Sequence, residues 1–203
     1  MNVSTLRSAA RLAALLTFPV AAIISGGCAQ QTPLLNKPLA WTPTNTLALG
    51  VTPTHGTPAT VRFEAFSDTA ADPALVGENV EHTPTRQVTT ADPVGPFVTQ
   101  HLQELFAQAG YSGGANADRV ISGEVRKFFV REGSDYDGSV ILDVTVSDRS
   151  GKALWHGTAW GTNQTFGRSY HLDNYQQVLS DSLIDAANNL LKTPALRASL
   201  TLN

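Results

Sequence analysis

Apolar and polar residues alternate through three segments between residues 120 and 161, and this pattern demands a sheet with one buried side. In residues 140–147, Val140, Leu142, Val144 and Val146 alternate with polar residues. Residues 120–131 alternate in the same way, and the tight-turn sequence at 148–151 leads into residues 153–161. The pattern predicts three strands, of which the last two form an antiparallel hairpin.

Two amphipathic segments supply apolar surface that can cover such a sheet. From about residue 92 to 109, apolar residues recur at three-and-four spacing, and Gly110 follows as a stop signal. A second stripe runs through residues 175–191, with Asp173 as the predicted N-cap, Gln176 as its capping-box partner and Pro194 as the break. Its polar face carries one cation, Lys192, near its end, which favours core packing over membrane-surface binding.

The region before the first helix gives weaker signals. Residues 47–52 and 60–66 read as strands, whereas residues 67–90 show no sustained period and are predicted to form a long loop. The element order predicts an α+β fold: a two-layer sandwich with a mainly antiparallel sheet of about five strands and two helices packed on one face.

The N-terminal segment has the three parts of a secretory signal. Arg7 and Arg11 precede an apolar run over residues 12–24, and small residues follow directly before Cys28. As a helix the run would rise only about 20 Å, which is short of a hydrocarbon core of about 30 Å. We therefore expect residues 1–27 to be removed.

This segment resembles the signal peptide and lipobox of bacterial lipoproteins, with Gly26 and Gly27 at the small-residue positions and Ser25 where Leu is preferred. The resemblance implies that Cys28 is diacylated, becomes the mature N-terminus and is acylated again, as with palmitate. Ala29 implies an outer-membrane destination on the periplasmic face. The alternative is an ordinary signal peptide with a chance Cys. Residues 28–45, with three prolines, read as the lipidated Cys and a flexible tether, and residues 46–203 as one periplasmic domain.

The chain from Val61 onward also resembles the YajG-like bacterial lipoproteins. The resemblance rests on the strand that ends in Asp68, on the Ala109-Gly110-Tyr111 end of the first helix, on the turn at 147–152, on the aromatic strand through Trp155 and Trp160, and on the Asn-rich last helix. Where family members tend to have Arg two positions after the Asp, this chain has Ala70. The resemblance implies an outer-membrane lipoprotein and supplies no chemistry.

Several classes of function lack their signatures. With 14 Lys and Arg against 17 Asp and Glu, the net charge is −3, which gives no basic footprint for nucleic acid. The chain has no Gly-x-Ser-x-Gly elbow, and its five His lack metal-site spacing. Asp135, Asp137, Gly138 and Ser139 resemble part of a calcium loop but are better explained as a polar turn. We therefore predict no enzyme, metal or cofactor.

The polar side of the predicted sheet is the candidate partner surface. Glu124, Arg126, Asp143 and Thr145 alternate away from the apolar positions of their strands. Trp155 and Trp160 are an odd number of residues apart, so they should point to opposite faces and one should join this surface. The leading hypothesis is an accessory module that binds another envelope protein there. The competing interpretation is a solvated face with one tolerated Trp.

Two further hypotheses remain open at the level of sequence. The small residues Gly123, Gly157 and Ala159 could leave space under the helices, which would suit a carrier or transport-auxiliary lipoprotein for a lipid or another apolar ligand. The predicted loop at 67–90 is the second candidate for a partner surface. The oligomeric state does not follow from the sequence.

Overall fold

The computed structural model describes residues 32–48 and 56–202, which form an eight-stranded sheet, a two-stranded sheet and three helices. In chain order the elements are β1 (Leu34–Lys37), β2 (Thr57–Pro58), β3 (Val61–Phe63), β4 (Ser67–Asp68), β5 (Leu75–Asn79), β6 (Arg86–Thr90), α1 (Val94–Gln108), β7 (Arg119–Glu132), β8 (Asp135–Asp148), β9 (Ala153–Phe166), α2 (Leu172–Lys192), α3 (Pro194–Ser199) and β10 (Thr201–Leu202). The signal peptide, Cys28 and most of the strand predicted at 47–52 lie outside the described residues.

The main sheet is mixed and is larger than predicted. Its order is β1-β6-β5-β7-β8-β9, and the antiparallel strands β7, β8 and β9 have 14 residues each. The other edge of β7 pairs in parallel with β3, β4 and β5, which follow one another along it. The expected number of about five strands was therefore too low. The strand predicted at residues 60–66 is present in shorter form as β3, whereas β1, β4, β5 and β6 were missed. The sheet is still mainly antiparallel in its long pairings, β7 with β8 and β8 with β9, as expected.

The segment predicted as a long loop, residues 67–90, supplies three of the short strands. It contains β4, β5 and β6, and β5 and β6 form an antiparallel hairpin. Val76 and Val88 are buried in the core. Strands of two to five residues are too short to show a sustained period, which is why the sequence pattern concealed them.

The helices predicted from the apolar stripes are confirmed. Helices α1 and α2 both pack on the same face of the sheet as the buried residues of β7 and β8, and they contact one another. Helix α1 buries Val98, Leu102, Leu105 and Phe106, and α2 buries Leu179, Leu183, Ala186 and Leu190. The two helices and one sheet face thus enclose a single core.

The start of α2 differs from the predicted capping box. The helix begins at Leu172, its N-cap is His171, and no side chain caps it. Asp173 lies within the first turn, where its charge still favours the helix dipole. Gln176 is buried and donates a hydrogen bond to the carbonyl of Pro38 (3.0 Å), so it serves a tertiary contact.

Small residues on the inner side of β9 let α2 approach the sheet closely. A β-carbon at Gly161 would collide with backbone atoms of Ser182 and Ala186. The ring of Trp155 covers Gly157, and that of Phe66 covers Gly123. The space proposed under the helices for an apolar ligand is therefore filled by the protein itself, and that part of the carrier hypothesis was wrong.

A β-bulge at Arg126 reverses the alternation within β7. Val125 lies opposite Leu142 and Lys127 opposite Ile141, so Arg126 is the extra residue. The most deeply buried positions are odd before the bulge and even after it (Ile121 and Val125, then Phe128, Val130 and Glu132). The strand can therefore keep apolar side chains on the helix side over its whole length.

Residues 135–139, which were interpreted as a polar turn, lie in β8. The turn between β7 and β8 is shorter and consists of Gly133 and Ser134. Tyr136 and Gly138 are buried on the helix side, and Asp137 faces away from it. The run of turn-forming residues misled the sequence interpretation because the period-two burial of the strand continues through it. The predicted turn at 148–151 is confirmed, since the Asp148 carboxylate accepts hydrogen bonds from the backbone of Ser150 and Lys152.

The described part of the expected tether packs against the domain. We define residues 32–48 as the N-terminal strap. Its first part forms β1, which pairs in parallel with β6, and Trp41 stacks on His101 of α1 with ring centroids 4.2 Å apart. The buried carboxylate of Asp181 accepts hydrogen bonds from the backbone of Thr44 and Asn45 (2.8 Å each). The three prolines suggested weak structure, but side chains of α2 accept hydrogen bonds from the backbone amides between them and after them.

The fully buried carboxylate of Glu132 and the side chain of Tyr170 together link the strap, the sheet and the segment before α2. Glu132 accepts hydrogen bonds from the Tyr175 hydroxyl (2.7 Å) and the Tyr170 amide (2.8 Å). The Tyr170 hydroxyl donates to the carbonyl of Gln87 (2.8 Å) and accepts from the amide of Leu34 (3.1 Å). Burial, together with the hydrogen bond to Glu132, raises the pKa of Tyr175 well above its usual range, so its hydroxyl stays a donor.

Candidate functional site: the open sheet face

The face of β7, β8 and β9 that points away from the helices forms the candidate site, which we name the open sheet face. It is built from cross-strand rows, because residues paired in register point to the same side of a sheet. Its central rows are Ser122–Thr145–His156, Glu124–Asp143–Thr158 and Lys127–Ile141–Trp160. None of the described helices packs on these rows, since α1 and α2 both occupy the other face.

The structure brings together five of the six residues that were predicted for this surface. Glu124, Arg126, Asp143, Thr145 and Trp160 lie on the open sheet face, and Trp155 does not. Trp155 is paired with the buried residue Val146 and packs against the core. The prediction that the two Trp side chains point to opposite faces is therefore confirmed, and Trp155 is corrected from surface to core.

The charged residues of this face form a compact network. Arg126 lies 3.1 Å from the Asp143 carboxylate and 3.8 Å from that of Glu124. The other oxygen of Asp143 accepts a hydrogen bond of 2.6 Å from the Thr158 hydroxyl. The bulge places Arg126 where it reaches the neighbouring strand, so one cation links two carboxylates.

An apolar row lies directly beside this network. Trp160 is 62% exposed, its cross-strand neighbour is Ile141, and Lys127 pairs with Ile141 on the strand beyond. The Lys127 ammonium lies 6.0 Å from the centre of the Phe129 ring, within the range of a cation–π contact. A large exposed indole next to an Arg–carboxylate network is the composition typical of binding hot spots.

A cavity of about 610 Å³ opens at one end of this surface. It lies where β7 lacks a partner strand, because pairing with β4 ends at Val125 and pairing with β5 begins at Val130. Charged residues of β7 and of the segment between β4 and β5 line it together with apolar ones (among them Asp68, Asp72, Leu75, Arg126, Phe129 and Arg131). Neither His nor Cys is among the described residues that line it.

Sequence reasoning missed Lys127, Ile141, Thr158 and this cavity. The signal for Lys127 was the break in the alternation of β7: the buried residues Val125 and Phe128 are three positions apart, which marks a bulge. The signal for Ile141 and Thr158 was the regular alternation of β8 and β9, since each lies two positions from a residue already placed on this face. No sequence pattern marked the cavity, because it depends on where two short parallel strands end.

Other kinds of site find little support in the described part of the chain. Residues 32–48 and 56–202 contain no group of three His, Cys, Asp or Glu side chains placed to hold a metal ion. Within the same ranges, no helix combines the length and apolar character needed to cross a bilayer.

Comparison with solved structures shows what the fold resembles. A DUF330 protein from Xanthomonas campestris superposes with a TM-score of 0.51 at 12% identity, over 82% of this chain and 94% of that one. A PelC dodecamer from Paraburkholderia phytofirmans gives a TM-score of 0.42 at 16% identity, over 78% of this chain and 96% of that one. No protein-family model and no curated protein matches the sequence, so membership of the YajG-like family is not shown. The chain thus shares the α+β fold of the DUF330 protein.

Proposed function

We propose that this protein is a non-enzymatic, lipid-anchored envelope protein whose open sheet face docks another envelope protein. One observation carries the docking proposal: Trp160 is 62% exposed in the middle of the edge strand β9, on a sheet face on which no described helix packs, beside the Arg126–Asp143 pair. A solvated face gains nothing from holding a large indole in water, whereas an interface gains from desolvating it. The signal-like segment and Cys28 support the anchor and an outer-membrane address.

A second candidate function has its own observation. The cavity at the interrupted edge of β7 is large enough for a small apolar or amphiphilic ligand, and Leu75 and Phe129 contribute apolar surface to it. This would make the protein a carrier with a site outside the helix–sheet core. Mass spectrometry of protein gently extracted from membranes separates the two functions: a stoichiometric ligand supports the carrier, and a co-purifying protein supports the docking module.

Replacing the acylated residue tests the anchor. We expect Cys28→Ala to abolish partition into the membrane fraction, because two or three acyl chains are the anchor that the sequence offers. The measurement is the distribution of the protein between pellet and supernatant after a high-salt wash. A variant that remains in the washed pellet contradicts the lipid anchor.

Exchanging charges on the open sheet face tests the docking surface. We expect Arg126→Glu combined with Asp143→Lys to abolish the strongest in-cell cross-link from a photoreactive residue at position 156, which lies on this face. The thermal midpoint should stay within a few degrees of wild type, because exposed ion pairs contribute only about 0–1 kcal/mol.

A photoreactive residue at position 103 serves as the matched control, since Gln103 is exposed on α1, on the other side of the molecule. Its cross-links should be unaffected by the double exchange. If the cross-link from position 156 survives in the doubly exchanged protein, the open sheet face is not the partner surface.

A further inference from the structure

The described chain enters the fold at one end of the main sheet, through β1. The register places the ends of five neighbouring strands in one row, which runs through Arg86, Asn79, Glu132, Tyr136 and Thr165. Strand β1 begins beside this row, with Leu34 paired to Val88. We name this end of the sheet, with its flanking turns, the entry end. Six strands make it about 24 Å wide at a spacing of about 4.8 Å.

The segment between β9 and α2 runs back across the entry end and holds it together. Arg168 forms an ion pair with Glu81 in the β5–β6 turn (3.2 Å). Tyr170 then contacts Glu132, Gln87 and Leu34 through the hydrogen bonds described above. The entry end is therefore one continuous surface from β9 to β1.

Two of the four large apolar side chains that are exposed among the described residues lie at this end. Phe166, the last residue of β9, is 84% exposed, and Leu35, the second residue of β1, is 49% exposed. They lie at opposite sides of the entry end, because β9 and β1 are the two edges of the strand order. A single exposed Phe is ordinary, but its position at the end where the chain enters the fold is informative.

The number of residues between Cys28 and the fold limits how far the entry end can lie from the lipid anchor. Leu34 is six residues after Cys28 in the sequence, and six residues reach at most about 20 Å. We propose that the entry end lies against the lipid bilayer and that Phe166 inserts into its interfacial region; this rests on the proposed lipid anchor at Cys28. The acyl chains hold the β1 side and Phe166 holds the β9 side, so the domain has two attachment points and one orientation.

The charges at the entry end suit a contact that depends on apolar insertion. Arg168 is paired with Glu81, Arg86 lies over the ring of Tyr170, and Asp135 lies opposite Phe166. Cations and carboxylates are thus nearly balanced, and attraction to anionic lipid would be weak. An aromatic ring at the interface contributes without such attraction, so the contact should form on vesicles of zwitterionic phosphatidylcholine.

A fluorescent label tests this contact in the full, acylated protein. Cys28 is the single Cys of the chain, so after acylation a Cys introduced by Phe166→Cys is the only free thiol and takes a thiol-reactive dye. The protein is reconstituted into phosphatidylcholine vesicles that contain a lipid spin-labelled in its upper acyl chain. We expect the dye at position 166 to lose more than about half of its fluorescence, because interfacial side chains reach about 5–10 Å into the headgroup and acyl boundary.

Ser150→Cys is the matched control. Ser150 is exposed in the β8–β9 turn, at the opposite end of 14-residue strands that extend about 45 Å. Its dye should keep its fluorescence in the same vesicles. Equal fluorescence at positions 166 and 150 in vesicle-bound protein overturns the inference and leaves the anchor intact. Protein that fails to float with the vesicles at all overturns both the anchor and this inference.

Discussion

Replacing Gly161 with alanine is expected to lower the free energy of unfolding by about 3 kcal/mol, at the upper end of the usual cost of about 1–3 kcal/mol for overpacking a core. The added β-carbon would meet the carbonyl oxygen of Ser182 and the amide nitrogen of Ala186. Both are backbone atoms of α2, so no side-chain rotation relieves the contact. The helix would have to move away from β9, and the apolar contacts along their interface would weaken together.

The control for this change is Gly114→Ala. A β-carbon at Gly114 would have no atom within 4 Å, so the free energy of unfolding should stay within about 0.5 kcal/mol of wild type. Urea unfolding followed by far-ultraviolet circular dichroism measures both variants. Equal midpoints for the two variants would show that α2 does not pack on Gly161 as described.

Truncating the buried face of either main helix is expected to cost about 2–5 kcal/mol. Leu183 of α2 and Leu105 of α1 are both buried in the core shared by the helices and the sheet, so Leu183→Ala and Leu105→Ala each leave a cavity. Leu154→Ala is the matched control, because Leu154 is exposed on β9 and its loss should cost less than about 1 kcal/mol. Denaturant midpoints that do not separate these variants from the control would mean that the helix faces are assigned wrongly.

The parts of the fold that could be predicted are the long elements, in which the hydrophobic pattern repeats several times. Fifteen residues in α1 and 14 in each long strand repeat their pattern often enough for the buried side to stand out. The hairpin turn at 148–151 was also readable, because Asp148 and Gly151 carry local turn chemistry.

The parts that could not be predicted depend on contacts distant in sequence. Strands β4 and β5 are two and five residues long and exist because each pairs with β7. The N-terminal strap is stabilised by Asp181, which lies 137 residues from Thr44. A composition of prolines and small polar residues suits a flexible tether and a packed strap equally. The contacts with α2, which are distant in sequence, make this segment a strap.

The candidate site also has a part that could be predicted from the sequence and a part that could not. Alternation alone placed Glu124, Asp143 and Thr145 on one face and separated Trp160 from Trp155. The contact between Arg126 and Asp143 needed the bulge, and the cavity needed the ends of β4 and β5, neither of which local periodicity encodes.

The parallel pairing of β1 with β6 determines how the domain responds to mechanical force. Tension from the chain ahead of residue 32 leaves the fold at the entry end and acts along the axis of β1. Such a load shears the pairs Leu34–Val88 and Lys37–Thr90 and the strap contacts behind them together, instead of opening them one at a time. Forced unfolding depends on the rate at which such a set of bonds yields. We therefore expect the domain to resist a pull from an anchored N-terminus better than a pull that opens the β1–β6 pairs one at a time.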